Sequence, residues 1–251
     1  VSAGSGVLVT GAASGIGRAV CERLAADGAA VAGLDRNGAG LHTAIAELRA
    51  NGATAFAVEA NVAAPDEVTA AVDLAACELD GLVAAVNVAG IGGFTGDVVA
   101  TPLAAWSETI AVNLTGVFNV CRAVIPHLRA SGGGAIVNVS SQYGLVGCLG
   151  SPAYCASKAG VIGLTRCLAL DHAQDGIRVN CVCPGPIDTP LLGASEAQVG
   201  PAQREHRRTA ERLLVQRAGT PAEVAESIAY ALGATFMTGS VLTLDGGWTA
   251  G

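Results

Sequence analysis

A chain of 251 residues, 51% of them hydrophobic, is long enough to enclose one sizeable core. Its formal net charge of -7 argues against nucleic acid or an anionic membrane surface as the main partner and favours a small molecule. Eight cysteines are scattered without a C-x-x-C pair, and no signal-peptide pattern precedes them, so reduced thiols in a cytoplasmic protein are expected rather than a disulfide scaffold.

The first apolar run, Val7-Leu8-Val9, stops at Thr10-Gly11, far short of the ~20 residues a membrane helix needs. It reads as a strand over 7–10, followed by a helix over 16–27. Strands at 30–34, 55–59 and 82–87 then alternate with helices at 39–51, 65–79 and 104–129. A strand at 134–140, a helix at 154–175 and a strand at 178–183 continue the rhythm, and a helix at 221–232 and a strand at 240–244 close it. Short apolar strands between longer amphipathic stretches predict βαβ units around a parallel sheet covered on both faces, in one domain over 1–251. Only 191–217 breaks the pattern, as a long insertion of the kind that forms substrate lids.

Gly11, Gly15 and Gly17 sit on the turn from the first strand into the first helix. Such a turn allows backbone amides and a helix N-terminus to approach a pyrophosphate, with Gly17 permitting close helix packing. The second strand ends in Leu34-Asp35-Arg36, with Asp35 eighteen residues after Gly17, near the ~20-residue spacing of a ribose-binding carboxylate. A carboxylate there repels a 2′-phosphate, so NAD is expected as cofactor; Arg36 opposes that repulsion or is a solvated charge.

With this Thr-Gly-x-x-x-Gly-x-Gly turn in place, the chain resembles the short-chain dehydrogenase/reductase family over essentially its whole length. The resemblance implies an α/β, doubly wound Rossmann-type fold with a seven-stranded parallel sheet in the order 3-2-1-4-5-6-7 and helices on both faces. It also implies cofactor contacts from Gly11, Ser14, Gly15, Ile16 and Gly17, from the adenine-cradling pair Asn61 and Val62, and from Asn87 and Ala89. Two positions depart from the family pattern: Asn61 stands where Asp is usual, and Val88 where Asn is common. Pro184, Ile187 and Thr189, in Pro184-Gly185-Pro186-Ile187-Asp188-Thr189, are implied beside the nicotinamide.

Tyr154 and Lys158 stand four apart, so on a helix their side chains share one face. A phenol of ordinary pKa ~10 is a poor base at neutral pH, and a nearby ammonium stabilises its phenolate. The resemblance makes both catalytic and cofactor-binding, and adds Ser141, preferred to Ser140, and Asn113, which helps hold a water linking Lys158 to solvent. Ser141, Gln142, Cys148, Tyr154 and Leu192 are the expected substrate contacts, from 142–152 and the start of the insertion.

The apolar character of 142–152 favours a neutral secondary alcohol or ketone. Arg204, Arg207, Arg208 and Arg212, set against Glu205 and Glu211, form either a solvated lid face or a site for an anionic tail such as a coenzyme A thioester. A 3-oxoacyl thioester reductase is the alternative chemistry, disfavoured by Asp35 and Asp175, because an acidic enzyme repels an acidic carrier. A dinucleotide sensor or scaffold predicts a damaged catalytic set, whereas all four residues stand. No metal is expected: His42, His127, His172 and His206 are dispersed, and Cys181-Val182-Cys183 offers too few ligands. The family's habit implies a homotetramer or homodimer paired through the helices at 104–129 and 154–175.

Overall fold

The computed structural model of the chain describes residues 3–198 and 213–250. Its centre is a sheet of seven parallel strands: β1 (Gly6–Thr10), β2 (Ala30–Asp35), β3 (Ala55–Glu59), β4 (Ala84–Asn87), β5 (Gly134–Val139), β6 (Ile177–Pro184) and β7 (Val241–Leu244). They lie in the order β3-β2-β1-β4-β5-β6-β7, as the resemblance implies, so the direction of winding reverses between β1 and β4.

Every residue of β1 is buried because the sheet is covered on both sides. The pleat sends alternate side chains to opposite faces. Leu8 joins the core under α3 (Pro65–Glu78), α5 (Gly116–Ala130) and α6 (Pro152–Asp171), with Val72, Val124 and Val161. Val7 and Val9 join the opposite core under α1 (Gly15–Ala26), α2 (Gly38–Ala50) and α8 (Pro221–Gly233), with Val20, Ile45 and Ile228.

The helix expected over 104–129 consists of α4 (Leu103–Ile110), a π turn (Ala111–Thr115) and α5, running on without a break. By length and composition Leu103–Ala130 is apolar enough to cross a membrane, but 56% of its apolar window is buried inside the protein, as in a core helix. The strand expected over 82–87 begins only at Ala84. The helix expected over 154–175 starts earlier, at Pro152, and ends at Asp171, with a 3-10 turn over Ala173–Asp175. In the insertion, α7 (Pro190–Gln198) is helical. Arg204, Glu205, Arg207, Arg208, Glu211 and Arg212 lie outside the described residues, as does His206, while Leu213 beyond them is buried.

Both ends of α8 are closed by side chains. Thr220 and Glu223 form a capping box at its start, with Pro221 in the first turn and Arg217 paired to Glu223. At its other end the Arg178 guanidinium donates to the carbonyls of Ala231, Ala234 and Met237 at 3.2, 2.8 and 3.4 Å, and to that of Leu232. The described histidines pair with carboxylates: His42 with Glu59, His127 with Asp73 and His172 with Asp175.

Candidate active site

A cavity of about 1000 Å³ opens at the carboxyl ends of the strands, across the reversal between β1 and β4, where open α/β sheets bind ligands. One end is built by the glycine turn. Gly11 has φ +70°, a conformation a side chain would strain, and a Cβ at Gly17 would lie 2.1 Å from the Gly11 carbonyl oxygen. The bare turn lets α1 begin directly against the cavity, with Ser14 as N-cap and its hydroxyl making no bond to the helix. The first amides of α1 thus face the cavity with the positive end of the helix dipole.

Asp35, at the end of β2, lines the same end together with Arg36. Its carboxylate accepts backbone N–H bonds from Ala13 at 3.0 Å and Asn37 at 2.9 Å, which ties the strand end to the glycine turn. Asn61 and Val62 line the cavity next to it. The Asn61 Oδ1 accepts from the Ala63 N–H at 3.0 Å, and the Val62 carbonyl accepts from Asn119 Nδ2 at 3.0 Å. Thr10 holds the neighbouring wall: its Oγ1 accepts from Val88 and Ala89 N–H at 3.0 and 3.1 Å. A cradle free of Cβ atoms, a helix N-terminus and a carboxylate at the next strand end fit a dinucleotide. Ser14, Gly15 and Ile16 would hold its phosphates and Asp35 its ribose.

Ser141, Tyr154 and Lys158 line the middle of the cavity. Lys158 is buried, its Nζ donating to the Val139 carbonyl at 3.0 Å and lying 5.8 Å from the centroid of the Tyr154 ring. Burial pulls its pKa down from 10.5 to about 8, against the thiols of Cys181 and Cys183, which pull it up. The two neighbouring serines divide their work. Ser140 Oγ donates to the Lys158 carbonyl at 2.7 Å, which fixes α6 to β5, whereas Ser141 Oγ accepts from the Tyr143 N–H at 3.2 Å. The Ser141 hydroxyl proton is thereby left to point elsewhere.

Asn113 sits in the π turn, fully buried, and does not line the cavity. Its Oδ1 accepts from the Ile91 N–H at 2.8 Å and its Nδ2 donates to the Ile91 carbonyl at 2.9 Å and to Ser157 Oγ at 3.3 Å. The side chain therefore clamps the loop after β4 beside Lys158. A Cβ at Gly90 would lie 3.2 Å from Asn113 Oδ1 and 3.5 Å from Lys158 Nζ, so the glycine admits both.

Pro184, Ile187 and Thr189 line the far side. The Thr189 methyl would lie 3.3 Å from a Cβ on Gly15, so this loop closes over the glycine turn. Gln142 and Leu192 also reach the cavity; Asn87 and Cys148 do not. Asn87 turns inward because the last residue of β4 faces the helices: its Nδ2 donates to Asn138 Oδ1 at 2.8 Å and to Cys121 Sγ at 3.4 Å. Cys148 is half-exposed, its thiol beside the Leu149 carbonyl. Gly90, Ile91, Gly92 and Val139 are among the further residues that line the cavity. The run Ile91-Gly92-Gly93 after Ala89-Gly90 is the signal that a bare loop continues there.

The model of the short chain dehydrogenase family matches residues 5–200. The chain belongs to this family. As a short-chain dehydrogenase it is 38% identical to 2-(R)-hydroxypropyl-CoM dehydrogenase of Xanthobacter autotrophicus over 248 residues, 97% of this chain and 98% of that one. It is 45% identical to cis-4-hydroxycyclohexanecarboxylate dehydrogenase of Sinomonas cyclohexanicum over 150 residues, 59% of this chain and 58% of that one. Among solved structures, that of levodione reductase superposes with a TM-score of 0.93 at 31% identity, covering 100% of this chain and 99% of that one.

Proposed function

We propose that this short-chain dehydrogenase is an NAD(H)-dependent oxidoreductase that interconverts a neutral secondary alcohol and its ketone, with Tyr154 as general acid/base. The observation that carries this reading is the meeting of Tyr154, Lys158 and Ser141 in one cavity with the glycine turn and Asp35. A bound nicotinamide supplies or accepts the hydride. The Tyr154 hydroxyl gives a proton to the substrate oxygen in reduction and takes it in oxidation. The Lys158 ammonium, the prevailing form below about pH 8, stabilises the phenolate, and its bond to the Val139 carbonyl keeps it on the Tyr154 side of α6. Ser141, accepting from Tyr143, donates its own proton to the substrate oxygen and offsets charge developing there.

Asp35 supports NAD over NADP, because a 2′-phosphate placed beside a fixed carboxylate is repelled; Arg36 on the same rim offsets part of that repulsion. A neutral substrate follows from the lining at the other end, where Ile91, Tyr143, Pro186, Leu191 and Leu192 meet no charged side chain but Lys158 among the described residues. On this point the reading parts from the carboxylate named for one relative. Exposed Leu103, Trp106, Phe118 and Leu170 along α4, α5 and α6 support a homotetramer or homodimer, measurable by light scattering.

A panel of secondary alcohols, ketones and acyl-CoA thioesters, followed by NADH absorbance, tests the activity. Tyr154→Phe is expected to lower turnover by at least ~100-fold with NADH affinity nearly intact. Retention of most activity would remove Tyr154 from the mechanism.

A further inference from the structure

Tyr143 serves the cavity wall in two ways. Its N–H donates to Ser141 Oγ at 3.2 Å, and it lines the substrate end two positions from that serine. The 3-10 turn that carries it, Gln142–Gly144, is seated on its inner side against α6, because a Cβ at Gly144 would lie 2.9 Å from the Lys158 carbonyl oxygen. That seat fixes backbone. The ring of Tyr143 is met from outside the cavity by Trp248, with centroids 6.5 Å apart and the planes at 89°. Aromatic pairs favour this edge-on geometry, so each ring restricts the orientation of the other.

Trp248 belongs to the turn after β7, which lines no part of the cavity yet is fixed from several sides. The buried Asp245 carboxylate accepts from the Gly247 and Thr249 N–H groups at 3.0 and 2.9 Å and from the Thr249 hydroxyl at 2.6 Å. Its carbonyl accepts from the Trp248 N–H at 3.2 Å. On one flank the Gly185 N–H donates to the Leu244 carbonyl at 2.7 Å, and a Cβ at Gly185 would lie 2.6 Å from Asp245 Cα, so the loop after β6 rests on the turn. On the other flank the Val215 N–H donates to the Gly246 carbonyl at 3.0 Å. The indole is therefore mounted on a clamped base behind the wall that Tyr143 forms.

We propose that Trp248 is a positioning residue for substrate selection: it holds the Tyr143 ring as a fixed wall, and Tyr143, so braced, limits the bulk of the groups that flank the carbinol carbon. The proposal rests on the oxidoreductase reading above. A wall that cannot yield rejects a larger substituent, because overpacking costs more than the added apolar contact returns. Without the brace the ring can turn to another rotamer, which admits the larger group and loses contact with the smaller one. Ser141 keeps its bond to the Tyr143 backbone, so the effect falls on substrate binding rather than on the proton step.

The test compares kcat/KM, with NAD as acceptor, for 2-butanol and cyclohexanol against 1-phenylethanol and 1-tetralol. The unaltered chain is expected to favour the smaller pair. Trp248→Ala should raise the bulky-to-small ratio by about three- to tenfold, the worth of one aromatic pair, through a higher KM for the small alcohols with kcat changed by less than about threefold. Tyr143→Ala should raise the ratio by about tenfold or more. Trp248→Phe, which keeps a ring at the same place, should restore it. In a Tyr143→Ala background, Trp248→Ala should add nothing, since the two act as one unit. NADH affinity and thermal midpoint report whether each variant is folded, and Trp248→Leu takes the place of the alanine variant if that one is not. Preference of the unaltered chain for the bulky pair, a ratio unmoved in the folded Trp248 variant, or a ratio moved as far without Tyr143 as with it overturns the assignment. If neither these alcohols nor their ketones are turned over while NADH still binds, the oxidoreductase reading falls, and the brace with it.

Discussion

Lys158→Met probes the electrostatics on which the chemistry rests. The folded chain holds this lysine 4% exposed at a pKa of about 8, while the unfolded chain restores the ordinary 10.5. Below pH 8 both states carry the proton, and the fold bears the whole cost of burying an ammonium. At 1.36 kcal/mol per unit, that displacement amounts to about 3 kcal/mol. Between pH 8 and 10.5 the unfolded chain binds more protons than the folded one, so stability rises with pH through that window. Methionine fills the same space without a charge and removes the slope. Urea unfolding at intervals from about pH 7 to about pH 10 reads the difference between the two proteins. The stability of the unaltered chain relative to the variant should climb by about 2–3 kcal/mol across the range. Cys181 and Cys183 are themselves held down by this ammonium, so the comparison is made in a background with both changed to alanine. Parallel stability curves would refute the buried ammonium and, with it, the means of stabilising the Tyr154 phenolate.

Asp35→Ala is expected to reduce the NADH-to-NADPH ratio of kcat/KM by about 10- to 100-fold, and equal use of both cofactors by the unaltered chain would contradict the role of the carboxylate. Gly17→Ala sets a methyl 2.1 Å from the Gly11 carbonyl oxygen, so the helix must retreat from the turn. NADH affinity, measured by fluorescence titration, should fall at least ~10-fold, and stability by about 1–3 kcal/mol; unchanged binding would separate the turn from the dinucleotide. Arg178→Met strands the carbonyls at the end of α8 and should cost about 2–4 kcal/mol in urea unfolding. An unmoved midpoint would show that water replaces the guanidinium.

The strands were legible because parallel strands buried on both faces carry short apolar runs between helical stretches, whereas their order came only from the family resemblance. The cavity position of Ser141, Tyr154 and Lys158 was legible for a local reason: strand end and helix face are set by neighbours in sequence. Asn87 was less so. Its side chain is claimed by Asn138, fifty-one residues away, and Asn138 in turn donates to Thr165 at 2.9 Å, a buried string across β4, β5 and α6 with no signature in any single segment. Cys148 is carried away from the cavity by the path of its loop. Periodicity likewise gives no sign of the π turn, since a one-residue widening hardly alters an apolar pattern and the single Gly116 directly after it is of a kind helices tolerate.

That widened turn makes the helix intolerant of changes in length. Each helical residue advances the chain about 100° around the axis, so an extra residue absorbed within Ala111–Thr115 decides how α4 is rotated relative to α5. Deleting a single alanine such as Ala111 would let the turn tighten into ordinary helix. Either Val120 and Val124 would then leave the sheet, or Asn113 would swing off Ile91 and release the loop beside Lys158. Chimaeras that splice this helix from a homologue must therefore place their junctions outside it and transfer the bulge whole.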